Sequence, residues 1–308
     1  MYQILLYYKY VDLPNPEELK EAQIELCQKL NLKGRIIVSN EGINGTLEGK
    51  LEDTEKYISS MNKDKLLSGI TYKKSEGTGN AFPKLRVRVR PEIVTSGVKN
   101  LNPNKITGKY ISSEELYSWF ENKKEFYIVD MRNDYEFLSG HFEGSIASGM
   151  KNFFELGKVA EKLLDMKDKT IVTVCTGGVR CEKASGFLLQ NGFKDVYQLK
   201  DGIQTFMETY PNKYFKGKLY VFDNRMTLGF NTDKPEHEVI ARCSFCQVKS
   251  ENYVNCELDY CHKHFISCHD CLDDETGFAF CNSDCKNNWK TQRIERENKL
   301  SSIQPLTN

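Results

Sequence analysis

The sequence predicts a mixed protein of three parts: an α+β domain at the N-terminus, a central α/β domain on a parallel sheet, and a C-terminal cysteine-rich segment that binds zinc. Three observations carry this prediction. Residues 1–95 alternate strand-length apolar runs with helical repeats in the order βαββαβ. The middle alternates strands with helices, and one of its strands ends in a thiol followed by two glycines. The last part gathers eight of the eleven cysteines of the 308-residue chain into four close pairs. The expected boundaries are 1–95 for the first domain, 96–109 for a linker, 110–215 for the second domain, 216–290 for the cysteine-rich region and 291–308 for a polar tail.

Composition narrows the possible functions. Charge is balanced, 43 basic against 43 acidic residues, so any nucleic-acid site must be a local patch rather than a polybasic tail. No apolar run approaches the roughly eighteen residues needed to span a bilayer. The chain therefore reads as a cytoplasmic protein without a membrane partner. In that compartment cysteines stay reduced and serve as metal ligands and reactive thiols rather than disulfides.

Residues 3–10 read as a buried strand and Pro14 to Asn31 as a helix with Leu19, Ile24, Leu26 and Leu30 near one face. Arg35 to Asn40 is a second strand, and Asn44-Gly45 is a hairpin signal leading into a third at Thr46 to Glu48. A helix from Leu51 to Met61 and a strand at Ile70 to Lys73 complete a ferredoxin-like order. The stretch Glu41 to Thr46 is read as a tight turn, with a ligand loop as the alternative. The segment Lys84 to Arg90 alternates strictly, so Lys84, Arg86, Arg88 and Arg90 share one face while Leu85, Val87 and Val89 pack inward. Such a row either tracks phosphates, making these four the RNA-binding candidates, or guards a sheet edge by charge.

The second domain opens with Ser112 or Ser113 capping a helix. A strand at Phe126 to Asp130 follows, with Arg132 and Glu136 expected to pair and fix the loop after it. His141 is expected to shape that region. A helix around Phe153 to Leu164, a strand at Thr170 to Val174, a helix from Cys181 to about Gln190, a strand at Val196 to Leu199 and a helix from Gly202 to Thr209 complete the domain. Between the strand and helix in its middle lies Cys175-Thr176-Gly177-Gly178-Val179-Arg180. Backbone N–H groups around such a loop converge on one point, and the helix behind adds its positive dipole end, so a thiolate at Cys175 is stabilised. Gly177 and Gly178 let the loop turn, and Arg180 adds positive charge.

Beyond Tyr214 the pairs are Cys243/Cys246, Cys256/Cys261, Cys268/Cys271 and Cys281/Cys285, with nine residues between the two pairs in each half. Eight thiolates make two four-cysteine zinc sites, and with every ligand position filled by sulfur their role is structural. The spacing fits one ion per half or an interleaved cross-brace equally well. His262, His264 and His269 are further ligand candidates.

Arg180 lies five positions after Cys175, one residue short of a phosphate-binding Cys-x5-Arg loop. The loop thus resembles the six-residue active loop of rhodanese domains, as does the stretch Asp130-Met131-Arg132, Glu136-Phe137 and Gly140 to Ile146. Two departures are Asp201-Gly202, where rhodanese domains often show two glycines, and Ala147-Ser148, where a proline is common. Taken with Glu41 to Thr46, Arg90-Pro91-Glu92-Ile93-Val94 and Val221-Phe222-Asp223, the chain resembles the rhodanese-type tRNA uridine hydroxylase family over residues 1–285. The resemblance implies oxygen-dependent conversion of the wobble uridine in a tRNA anticodon loop to 5-hydroxyuridine. Cys175 matches the family's active cysteine, with molecular oxygen as co-substrate and an unidentified reductant. Cys175 would act as a nucleophile toward the ring, and Arg180 would stabilise the thiolate or an enolate oxygen. Cys181 is read as a residue facing the core, with a resolving thiol as the alternative. A sulfurtransferase carrying a persulfide on Cys175 and a non-catalytic RNA-binding scaffold are the competing readings.

Overall fold

The computed structural model describes residues 1–261 and 263–301, with side chains through residue 298. His262, one of the ligand candidates, lies outside the described residues, as do residues 302–308 of the polar tail. The chain divides into two compact units, Met1–His237 and Glu238–Asn308. Among the described residues no helix is long and apolar enough to cross a membrane.

The first unit opens with β1 (Tyr2–Tyr10), α1 (Pro16–Lys29), β2 (Lys33–Ser39), β3 (Gly42–Lys50), α2 (Leu51–Met61), β4 (Tyr72–Gly77) and β5 (Leu85–Val89). The sheet order β4-β1-β3-β2 is ferredoxin-like, and β5 extends it by pairing parallel to β2. One sheet face packs on α1 and α2 through Leu5, Tyr7, Ile36, Val38 and Leu47. Inside that core the Tyr7 and Tyr57 hydroxyls lie 2.6 Å apart.

Two sequence expectations are corrected here. The chain reverses at Asn40-Glu41, where Ser39 pairs with Gly42, so Asn44 and Gly45 lie within β3. Gly45 is there for another reason: a Cβ would sit 2.3 Å from the Tyr7 ring. The fourth strand falls at Tyr72–Gly77 rather than at Ile70 to Lys73, because its residues are polar and hydrophobic pattern does not mark them.

There follow β6 (Lys109–Ile111), α3 (Ser113–Glu121), β7 (Tyr127–Asp130), α4 (Asp134–Phe137), β8 (Gly140–Phe142), β9 (Ile146–Ala147), a 3-10 turn at Phe153–Lys158, α5 (Val159–Lys162), β10 (Thr170–Val174), α6 (Val179–Gln190), β11 (Asp195–Leu199) and α7 (Gly202–Thr209). Ser112 caps α3 by accepting from the Glu115 N–H. The strands form a parallel sheet in the order β6-β11-β10-β7-β9. The loop beginning at Cys175 thus leaves the carboxyl end of the central strand, where parallel sheets place their ligands. The helix expected over Phe153 to Leu164 is broken into short 3-10 and α segments. Short strands β12 (Phe215–Gly217), β13 (Leu219–Tyr220) and β14 (Thr227–Leu228) close the unit, β12 on β8 and β13 on β14.

In the second unit β15 (Tyr253–Asn255) pairs with β16 (His264–Ile266), and α8 runs over Ser283–Ser301. Its small core joins Leu258, Phe265 and Phe280 to Cys256 and Cys285, with Trp289 of α8 against it. Few apolar residues in so short a segment bury little area, the situation in which small domains commonly rely on disulfides or metals.

Candidate active site and metal centres

Cys175 directly follows β10, fully buried from bulk solvent, at the floor of a cavity of about 330 Å³. α6 begins at Val179, two residues earlier than the sequence suggested, with Gly178 as its N-cap at φ +98°. This brings the first turn's N–H groups onto the sulfur. The Gly178 N–H donates to Cys175 Sγ at 3.2 Å. Burial by itself pushes the thiol up, but the Cys181 thiol, the Arg180 charge and the Cys181 and Arg180 N–H groups outweigh it and bring it down to about 6. Burial and the neighbouring sulfur raise the Cys181 thiol. Cys181 therefore acts as a hydrogen-bond partner of Cys175 from a fully buried position.

Arg180 is not free. Its guanidinium forms a two-pronged pair with Glu136 at 2.6 and 2.8 Å and donates to Thr176 Oγ1 at 3.3 Å. This corrects the expected Arg132–Glu136 pair. Arg132 binds Asp130 instead, Nε to Oδ1 at 3.0 Å and Nη2 to Oδ2 at 2.7 Å, and also donates to the Gly140 carbonyl. Arg180 consequently acts on the thiolate through its charge, with its strongest donors already committed. His141 stacks on Phe137 with Nδ1 on that residue's carbonyl, a shaping role remote from the cavity lining.

The cavity's opposite wall belongs to the first domain. The sheet face turned away from α1 and α2 covers the active loop. Leu6 faces Gly177, where a Cβ would lie 2.8 Å from its Cδ2, and the Tyr8 hydroxyl stands as near to a Cβ at Gly178. Tyr8 donates to Glu182 at 3.1 Å and Tyr10 to the Val179 carbonyl at 3.2 Å. Buried ion pairs join the two domains: Lys183 bridges Glu41 and Glu92 at 2.9 and 2.7 Å, and Lys73 meets Asp201 at 3.1 Å. Asp201 takes the left-handed φ of +63° that a glycine would adopt there, and its carboxylate holds Lys73.

Asn44, Gly45 and Thr46 line the cavity, so the stretch read as a tight turn is a strand in the site wall. Sequence reasoning also missed Leu6, Tyr8, Arg35 and Gln204, which line it too, and singled out Phe222 only as part of a family motif without placing it in the site. One signal was available: β1 is apolar at odd and even positions alike, which requires a cover on both faces. Gln204 is 3% exposed, and among the described residues its carboxamide has no protein hydrogen-bond partner. Asp223 grips Arg225 at 2.8 and 2.7 Å, and Arg225 reaches Ser75 Oγ at 2.9 Å, which fixes Phe222 at the cavity rim. Lys84, Arg86, Arg88 and Arg90 are exposed along β5 and do not touch Cys175 or its loop.

In the second unit the sulfurs gather as Cys243, Cys246, Cys268 and Cys271, and as Cys256, Cys261, Cys281 and Cys285, each set within 4.8 Å. The pairs therefore interleave as a cross-brace. A tetrahedral ion with metal–sulfur bonds of about 2.3 Å needs sulfurs roughly 3.8 Å apart. Cys246–Cys268 at 3.5 Å, Cys261–Cys281 at 3.6 Å and Cys281–Cys285 at 3.5 Å fit that requirement. His264 and His269 belong to neither set, since four thiols already fill each.

Residues 2–93 match the family described as UPF0176 acylphosphatase like domain, residues 112–209 the rhodanese-like domain and residues 216–286 the rhodanase C-terminal family. The chain is 42% identical over 269 residues to a protein of Bacillus cereus (strain B4264) named tRNA uridine(34) hydroxylase, covering 86% of this chain and 83% of that one. Proteins of the same name from Bacillus anthracis (strain CDC 684 / NRRL 3495) and Bacillus thuringiensis subsp. konkukian (strain 97-27) match with the same identity and coverage.

Proposed function

We propose, from the premise that this chain belongs to the tRNA uridine(34) hydroxylase family, that it converts the wobble uridine of tRNA to 5-hydroxyuridine with Cys175 as its nucleophile. The observation that carries the reading is Cys175, its sulfur accepting from the Gly178 N–H at 3.2 Å, at the floor of a cavity walled by a second domain. The cavity lies at the lower end of the roughly 300–1,000 Å³ range of small-molecule sites and suits one extruded base. A base in an anticodon loop is unpaired, so extruding it costs little. Phe222 at the rim offers a stacking face, and the Gln204 carboxamide offers a donor and an acceptor to the imide edge of uracil.

The chemistry balances as uridine, O2, two electrons and two protons giving 5-hydroxyuridine and water. The Cys175 thiolate adds to carbon 6, which makes carbon 5 an enolate carbon. That carbon takes one oxygen atom from a peroxide formed when an external two-electron donor reduces O2; water carries away the other. Loss of the carbon 5 proton then expels the thiolate and restores the ring. The C-terminal cysteine sets hold two structural zinc ions.

The test is mass spectrometry of tRNA nucleosides from a deletion strain complemented with wild type or with Cys175→Ser. Wobble nucleosides derived from 5-hydroxyuridine return with wild type and stay absent with the serine variant. Their return with both removes Cys175 from the chemistry. Their absence with both, together with thiosulfate-to-cyanide transfer by the purified protein, makes it a sulfurtransferase.

A further inference from the structure

The basic row on β5 has two explanations, edge protection and phosphate binding, and the fold separates them. In the parallel register Arg35 pairs with Arg86 and Ile37 with Arg88, so the β5 cations share a sheet face with the two β2 residues that line the cavity. Edge protection accounts for charge on β5, the outermost strand. It gives no reason for Arg35, one strand further in on β2 and exposed at the cavity wall. Among the described residues none of Arg35, Lys84, Arg86, Arg88 and Arg90 is ion-paired or hydrogen-bonded through its side chain; the Arg35 guanidinium lies over the face of Phe82, 6.0 Å from the ring centre, and its charge is felt at Tyr220. Lys73 and Lys183 at the domain junction, by contrast, are spent on carboxylates.

We infer that Arg35, Arg86 and Arg88 form a phosphate track that starts at the cavity wall and leads to the β5 edge, along which the RNA strand flanking the extruded base is held. Arg35 is the cation nearest the base. Arg86 lies one strand away, roughly 4.8 Å in backbone spacing, and Arg88 a further two residues, about 6.7 Å, along β5. Long guanidinium arms carried on neighbouring positions of one sheet face can reach neighbouring phosphates of a single strand. Guanidinium groups grip phosphate oxygens with paired donors and retain their charge at every relevant pH. Lys84 and Arg90 prolong the row at either end. The occupant is single-stranded RNA, because a continuous cationic row beside a pocket of one-base size reads backbone and one base together.

The inference rests on the RNA substrate proposed above, and its test separates the two. Binding of an anticodon stem-loop with a wobble uridine is measured for the full chain across a salt series, alongside 5-hydroxyuridine formation. The variants are Arg35→Gln, the double variant Arg86→Gln/Arg88→Gln, and Lys29→Gln on the helix-covered side as control. The first weakens binding roughly three- to tenfold and lowers the logarithmic salt slope by about 0.7, the second lowers it by about 1.4, and the control changes neither. Melting curves matching wild type exclude misfolding, since all of these side chains are exposed. Hydroxylation by wild type, with affinity and slope unchanged in the arginine variants, overturns the track and leaves the hydroxylase reading intact. Arginine-dependent stem-loop binding without 5-hydroxyuridine formation keeps the track and removes the hydroxylase. No stem-loop binding by wild type overturns both.

Discussion

At Cys175 the local sequence carries most of the chemistry, because a strand end, two glycines and a helix start are neighbours along the chain. The titration follows from the same geometry. A thiol brought down to about 6 is a thiolate at neutral pH, and it loses reactivity as pH falls through that value. Iodoacetamide labelling of Cys175 is expected to rise to a plateau near pH 7, whereas an ordinary thiol would still be gaining rate above 8.5. What the sequence hides is the partner of Arg180, since Glu136 stands 44 positions away and Arg132 is far nearer to it in the chain. Glu136→Gln leaves the buried Arg180 charge without its counterion and is expected to cost about 3–5 kcal/mol of stability. The freed charge also favours the thiolate, so the labelling curve moves to lower pH while the melting temperature falls. A variant that is destabilised with an unmoved labelling curve would show that Arg180 exerts no field at the sulfur.

The Cys175 loop as an element is pressed from two sides, and the glycines at its two contacts, Gly177 within it and Gly202 at the start of α7, meet different neighbours. Sequence pattern identifies Gly177 and Gly178 as turning residues but cannot reveal that β1 of the other domain lies against them. The strand order that brings Leu6 and Tyr8 there is set by long-range pairing, which periodicity does not encode. A Cβ at Gly177 would meet the flexible end of Leu6 at 2.8 Å. A Cβ at Gly202 would meet the Thr176 carbonyl oxygen at 2.6 Å and the Gly177 Cα at 2.7 Å, from a backbone φ of +78°. Gly177→Ala is therefore expected to cost less than about 1 kcal/mol, and Gly202→Ala more than about 2 kcal/mol, because backbone has no rotamer by which to yield. Denaturant midpoints together with the Cys175 labelling profile check this order. Equal losses in the two variants would mean that α7 does not brace the loop.

For the whole molecule, the N-terminal order and the alternating central domain follow from apolar periods, whereas the pairing of cysteines does not. Each half repeats the same nine-residue gap, so sequence spacing satisfies two topologies equally, and only folding chooses between them. The sets Cys243/Cys246/Cys268/Cys271 and Cys256/Cys261/Cys281/Cys285 take the first pair with the third and the second with the fourth. An ion in either set would close a longer stretch of chain than it would within one half, removing more conformational freedom from the unfolded segment. Folding of this unit would then be coupled to metal binding at each set. Metal analysis of the purified chain is expected to give two zinc ions per molecule. The double variant Cys243→Ser/Cys268→Ser discriminates the topologies, since both positions lie in one interleaved set but in opposite halves of the sequence. Interleaved sites lose one ion and keep the other, whereas sites confined to each half would lose both, so a metal content of one per chain is the outcome the cross-brace requires.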